Sequence, residues 1–229
     1  MLLLTLVGGC EPGGTAPVRP TVVTLGDSVP AGTGCACSAF PELYARHENA
    51  LSLNLAETGL TSAQVRAQLG DPTVRDALRR ADEVLLMVGA NDVADDFTDS
   101  TAVAAAAADV HANVRETIDG IQEIHQTTVV VLGYWNVVRD GKAGLDEYGE
   151  SGVEASVETT RAINDALEAA ASESGAAYVS TDPAFHGPDG GKDATSLLID
   201  DGDHPDSAGH TAIARLIPPV GKPFTAFPG

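Results

Sequence analysis

Four short segments of the chain carry side chains whose types and spacing suit nucleophilic chemistry. The first is Gly26-Asp27-Ser28, which closes the β-branched run Thr21–Leu25. A hydroxyl at such a strand-to-helix turn lies beside backbone N–H groups able to stabilise developing negative charge. The same tripeptide is also ordinary turn or cap chemistry, so by itself it decides little. The second segment is Ala56-Glu57-Thr58-Gly59-Leu60-Thr61-Ser62, where Gly59 can bring its N–H close to a ligand and Thr61 or Ser62 can cap a helix. The third, Val88-Gly89-Ala90-Asn91-Asp92, ends an apolar run. Asn91 is either a turn former or an amide donor to an oxyanion, a contact worth about 3 to 4 kcal/mol of barrier. The fourth is Asp200-Asp201-Gly202-Asp203-His204, with His210 shortly after. Asp201 stands three residues before His204, within reach of one ring nitrogen in a tight turn, which leaves the other nitrogen to take a proton from a serine. Asp200 and Asp203 compete for that orienting task, and the spacing favours Asp201. An Asp-rich loop also suits a hard cation, but this spacing does not fit a calcium loop, so no metal is expected. His210 reads as a structural or capping residue. His47, His111 and His125 fall on helical stretches and His186 in a loop, and the sequence offers none of them a partner.

The elements that must position these segments alternate along the chain. Strands are expected at Thr21–Leu25, Leu51–Ala56, Glu83–Val88, Thr127–Leu132 and Ala176–Ser180. Most are continuous apolar runs, as parallel strands covered on both faces require. Helices are expected at about 38–48, 61–80 with a break at Gly70-Asp71-Pro72, 101–125, 152–174 and 206–217. In the third of these, Val103, Val110, Val114, Ile118, Ile121 and Ile124 make one apolar stripe. The Ala-rich tract Ala104–Ala108 reads as well-formed helix. Strict alternation implies a doubly wound α/β domain with right-handed crossovers, whose ligands bind beyond the carboxyl ends of the strands. All four segments then fall at that one edge.

In this order and at this edge, the four segments resemble the SGNH (GDSL-type) hydrolase superfamily over about residues 20–217. Its blocks stand here as Gly26-Asp27-Ser28, Gly59, Gly89-Ala90-Asn91-Asp92 and Asp201-Gly202-Asp203-His204. One departure is Val29-Pro30, where the family name places a leucine. The resemblance implies a flavodoxin-like three-layer α/β/α sandwich with a five-stranded parallel sheet. It also implies an ester hydrolase without cofactor or metal. Ser28 would attack the ester carbonyl, His204 would act as general base and then acid, and Asp201 would hold the imidazole tautomer. The backbone N–H groups of Ser28 and Gly59 and the Asn91 side chain would form the oxyanion hole.

At 229 residues the chain has room for one full core and is short for two. The expected division is 1–20, a signal remnant and tether; 21–220, the hydrolase domain; and 221–229, a tail. The formal charge of −20, from 13 basic and 33 acidic residues, disfavours nucleic acid and anionic lipid surfaces as partners. A neutral or cationic small molecule, such as a carbohydrate ester, fits better, and a monomer is expected.

The start, MLLLTLVGGC, resembles a bacterial lipoprotein processing site at Val7-Gly8-Gly9-Cys10, although it is short and no Lys or Arg precedes it. Cys10 is then the expected lipid-bearing residue, and the protein an exported, cell-surface or secreted one. Residues 11–20 read as a Pro/Gly tether. Cys35 and Cys37 match no common zinc spacing; they form either a tight local disulfide or two free thiols.

Two segments bear on specificity. Tyr134–Glu150 holds the only Trp together with Tyr134 and Tyr148, and is either an aromatic wall of the site or a packed connection. Asp182–Lys192 is rich in Gly and Pro and leads towards the Asp-His turn. The expected substrate is a small acyl ester of acetyl type. A lipase or lysophospholipase for longer chains, and a non-catalytic surface binding module on the same fold, are the alternatives.

Overall fold

The computed structural model describes residues 19–222. Cys10, the lipoprotein-like start, most of the tether and most of the C-terminal tail lie outside the described residues. The elements are β1 (Thr21–Gly26), α1 (Ser28–Ala31), α2 (Phe40–His47), β2 (Leu51–Asn54), α3 (Ser62–Gln68), α4 (Pro72–Leu78) and β3 (Glu83–Met87). They continue with α5 (Ser100–Ile124), β4 (Thr128–Leu132), α6 (Gly141–Glu173), β5 (Ala177–Val179), α7 (Asp182–His186) and α8 (Ser207–Leu216).

The strands pair in the order β2-β1-β3-β4-β5, and every pairing is parallel. This is the doubly wound, flavodoxin-like order, with its switch point between β1 and β3. Val22, Val23 and Leu25 of β1, Val84 to Met87 of β3 and Val129 to Leu132 of β4 are buried, which is why these strands read as unbroken apolar runs. The β2 edge strand is only half-covered, and Leu51 is exposed. On one side α3, α5 and α6 pack together; on the other α2, α7 and α8 do so. The stripe on α5 is the buried one: Val103, Val110, Val114, Ile118 and Ile121 all face the core.

The expected strands and helices are all present; the short helices α1 and α7 are additional to them, and one boundary differs by more than a few residues. Helix α6 begins at Gly141, eleven residues before the position that periodicity suggests, so most of the 134–150 segment is helix. Four glycines, at 141, 144, 149 and 152, disguise it in the sequence. The Asp140 carboxylate caps its first turn by accepting the Gly141 N–H at 2.6 Å. A break at Gly149, with φ 66° and ψ −179°, separates this first piece from the long remainder. Among the described residues no helix is long and apolar enough to cross a membrane.

Candidate active site

The turn at the end of β1 is made by close approach. Gly26 has φ +150°, and a Cβ there would overlap the Met87 carbonyl oxygen of the adjacent strand and come within 2.8 Å of Pro30 Cγ. Only glycine fits, and the chain then passes straight into α1 with Ser28 as its first residue. Ahead of Ser28, the fully buried Asp27 carboxylate accepts the Val29 N–H at 3.1 Å and the Tyr134 hydroxyl. Burial pushes the Asp27 carboxyl up to about 7, against the lowering effect of the Tyr134 and Val29 hydrogen bonds and of His204. Asp27 and Tyr134 therefore hold the Ser28 turn from beneath, a pairing across 107 residues with no sequence signal beyond the acid beside Ser28.

The second and third segments are tied to each other. Asn91 Nδ2 donates to the Leu60 carbonyl at 3.0 Å. Asp92 accepts from the Ser62 N–H at 2.9 Å and from the Ser62 hydroxyl at 2.7 Å, and Asn113 Nδ2 donates to that same hydroxyl at 3.0 Å. Burial raises the Asp92 carboxyl, while its two bonds to Ser62 lower it. The loop carrying Gly59 is thus clamped on its C-terminal side to the loop carrying Asn91. Beyond Gly59 the space is open, with nothing within 4 Å of where a Cβ would stand.

The fourth segment is a tight turn organised by one carboxylate. Asp201 Oδ1 accepts the N–H groups of Asp203 at 2.8 Å and His204 at 3.0 Å, and Oδ2 lies 2.8 Å from His204 Nδ1. Partial burial alone would raise the Asp201 carboxyl; the Asp203 N–H and the His204 ring and N–H outweigh it and hold it below the usual range. Asp201 rather than Asp200 or Asp203 therefore braces the imidazole. Asp200 is exposed, and Asp203 lines the cleft beside Ser28.

That turn is in turn held from behind by a residue for which the sequence offers no partner. His186, expected in a loop, is the last residue of α7 and lies between two carboxylates: Nδ1 is 2.6 Å from Asp182 and Nε2 is 2.9 Å from Asp140. Asp140 caps α6 with its other oxygen and donates its N–H to the Gly202 carbonyl at 2.8 Å. Gly202 has φ +71°, and a Cβ there would overlap Ala143 and lie 3.1 Å from the Asp140 carbonyl, so the turn sits against α6 with no room for a side chain. His111 and His47 also gain partners, in Glu173 at 3.2 Å and Glu48 at 3.0 Å, on the surface.

The bond to Asp140 first, and that to Asp182 after it, push His186 up to about 9, against the lowering effect of its own burial. The protonated form is favoured by the fold, so its stabilisation is fully present below the ordinary value of 6.5 and is lost as pH rises through about 9. His186 and Asp140 are only 18% and 13% exposed, whereas Asp182 is 45% exposed and partly screened. His186→Gln is expected to cost about 2 kcal/mol at pH 7. Denaturant unfolding of the two proteins should converge progressively as pH rises from 6.5 to about 9; a gap unchanged at alkaline pH would contradict the ion pair.

Ser28, Val29, Ala90, Asn91, Tyr134, Val138, Arg139, Tyr148 and Asp203 line one cavity of about 110 Å³. Of the aromatic residues in 134–150, Tyr134 and Tyr148 thus reach this cleft. Trp135 does not: it stacks on Phe185 with ring centroids 4.0 Å apart and lines a separate cleft between α6 and α7. Cys35 and Cys37 are joined as a disulfide, the first of the two possibilities that the sequence leaves open.

A hydroxyl at the switch point of a parallel sheet, with a carboxylate-braced imidazole at the same edge, marks the class of three-layer α/β proteins suited to acyl transfer. The profile of the GDSL-like Lipase/Acylhydrolase family matches residues 24–212, and the chain belongs to that family of hydrolases acting on ester bonds. No curated protein matches the sequence. Among solved structures, the phospholipase A1 of Streptomyces albidoflavus NA297 superposes with a TM-score of 0.65 at 22% identity, covering 87% of this chain and 97% of that one. The lipase Lip_vut3 from a goat rumen metagenome gives 0.64 at 19%, covering 86% and 95%. The acetylxylan esterase Axe2 of Geobacillus stearothermophilus gives 0.61 at 16%, covering 87% and 93%. At these identities the likeness is one of fold.

Proposed function

We propose that the chain is a serine esterase that hydrolyses small acyl esters, acetyl-type esters on carbohydrate foremost, through an acyl-enzyme. The observation that carries this reading is the Asp201–His204 couple, in a turn whose Asp203 lines the same cavity as Ser28. Asp201 fixes the tautomer by accepting from Nδ1–H, so Nε2 is left to accept the Ser28 proton. Ser28 Oγ then attacks the ester carbonyl, and His204 returns the proton to the leaving alkoxide. Water attacks the acyl group by the same path and releases the acid. The Ser28 and Gly59 N–H groups stabilise the oxyanion together with Asn91. One Nδ2 hydrogen of Asn91 is engaged by Leu60, which fixes the amide plane, and the other is free to donate.

The cavity beside Ser28 supports a small acyl group, since 110 Å³ is well below the roughly 300 to 1,000 Å³ of sites for larger ligands. A neutral carbohydrate also suits a surface of net charge −20. An exported location belongs to the same proposal, supported by Val7-Gly8-Gly9-Cys10 and by the Cys35–Cys37 disulfide.

The test is a series of p-nitrophenyl acetate, butyrate, octanoate and palmitate without added metal. kcat/KM is expected to fall at least about tenfold from butyrate to octanoate. A maximum at octanoate or palmitate would move the reading to a lipase. Turnover of none of the four, with no labelling by a fluorophosphonate, would favour a non-catalytic binding module. Asn91→Ala is expected to lower kcat on acetate by about 100- to 1,000-fold with little change in KM. A change below about threefold would remove Asn91 from the oxyanion hole.

A further inference from the structure

The disulfide brings a third group into play that no spacing in the sequence reveals. His210, on α8, is fully buried, and one of its ring nitrogens lies with the Cys35 and Cys37 sulfurs in a set of atoms all within 4.8 Å of one another. Its Nδ1 accepts the Phe40 N–H over a long 3.3 Å, and its Nε2 has no partner among the described residues. A buried imidazole nitrogen without a partner is an uncommon expense for a core.

We propose that, in their thiol form, Cys35 and Cys37 make with His210 a three-donor S₂N site for a soft d10 cation, Cu(I) foremost. A small thiol or a phosphine gives the disulfide two electrons and is itself oxidised, to its own disulfide or to the phosphine oxide, while the thiol in the first case and water in the second supply the two protons of the resulting thiols. The incoming ion displaces the thiol protons and takes two thiolates and one imidazole nitrogen. Binding through Nε2 moves the ring proton to Nδ1, so the long Phe40 contact is lost and the two N–H donors must move apart. Among the described residues no fourth Cys, His, Asp or Glu joins the cluster, which suits a three-coordinate Cu(I) better than tetrahedral Zn(II). The disulfide and the metal-bound dithiol are therefore alternative states of one site. That site neighbours the Asp-His turn, because Gly34 lies against Ile199 and the Asp201 carboxylate.

The experiment uses the full chain carrying Cys10→Ser, so that the pair supplies the only thiols. The protein is reduced anaerobically with a phosphine, the two thiols are confirmed by alkylation and mass, and Cu(I) is titrated against a chromophoric chelator. The expected result is one Cu(I) per reduced chain and none per oxidised chain. Cys35→Ser and Cys37→Ser should abolish binding. His210→Gln, its fold checked by circular dichroism, should weaken binding by about 100-fold, the upper range for groups that merely support a metal ligand. X-ray absorption of the loaded protein should show two sulfurs and one nitrogen, a readout that holds even where a His210 variant does not fold. Equal affinity in folded His210→Gln, sulfur-only coordination, equal binding by the oxidised chain, or a pair that resists reduction without unfolding would each overturn the site. Zn(II) bound at one per chain where Cu(I) is not would overturn the choice of ion.

Discussion

Replacing Ser28 with alanine is expected to lower kcat on p-nitrophenyl acetate by about 10,000-fold or more, with stability changed by no more than about 0.5 kcal/mol. In the proposed mechanism the kinetic loss is large because Ser28 alone forms the acyl-enzyme; what is left is the contribution of the proposed oxyanion donors to direct attack by water. The structural cost is small because Ser28 is the first residue of a short helix whose capping bond comes from Asp27, not from Ser28. Alanine at that position keeps the Asp27–Val29 bond, the Tyr134 contact and the backbone N–H groups. Covalent labelling by a fluorophosphonate should vanish in the same variant. Full activity in a folded Ser28→Ala protein would refute the mechanism outright.

Asp201→Asn should come next, with kcat down by about 10,000-fold and the turn intact. The amide oxygen can still accept the Asp203 and His204 N–H groups that now bind Oδ1. The amide nitrogen, however, replaces the oxygen that faces His204 Nδ1, and donates where the carboxylate accepted. The imidazole is then held with its proton on Nε2, the nitrogen that must accept from Ser28. Asp200→Asn, at an exposed carboxylate, should change kcat by less than about twofold. Equal losses in the two variants, or a loss below about tenfold in Asp201→Asn, would assign the orienting role elsewhere.

The parallel sheet was legible because its strands are buried on both faces. Val84 to Met87 and Val129 to Leu132 are apolar without interruption, and that pattern depends on local sequence alone. The stripe on α5 was legible for the same reason, since its period is that of a single helix. Three of the four blocks were legible because each follows a strand, where alternation of elements forces them to one edge; the fourth is the segment before α8. Asp201 was separable from its neighbours because a contact over three residues is nearly a local property.

What stayed hidden were contacts that close only when distant segments pack. The start of α6 was obscured by glycines that are tolerated there because Asp140 caps the helix and Arg139 and Tyr148 fill the space beside Gly144 and Gly152. His186 could be matched to Asp140 only by a fold that brings α7 against the loop after β4, 46 residues earlier. Asp27 finds Tyr134, and the cysteine pair finds His210, by the same route. The sequence by itself determined the fold class, the order of strands and helices, and the blocks that reach the carboxyl edge of the sheet, because local periodicity and short-range spacing carry that information. Tertiary structure alone decided what steadies Ser28 and the Asp-His turn, and which histidines are paired, because buried charges and imidazoles take their partners from wherever the packed chain supplies them.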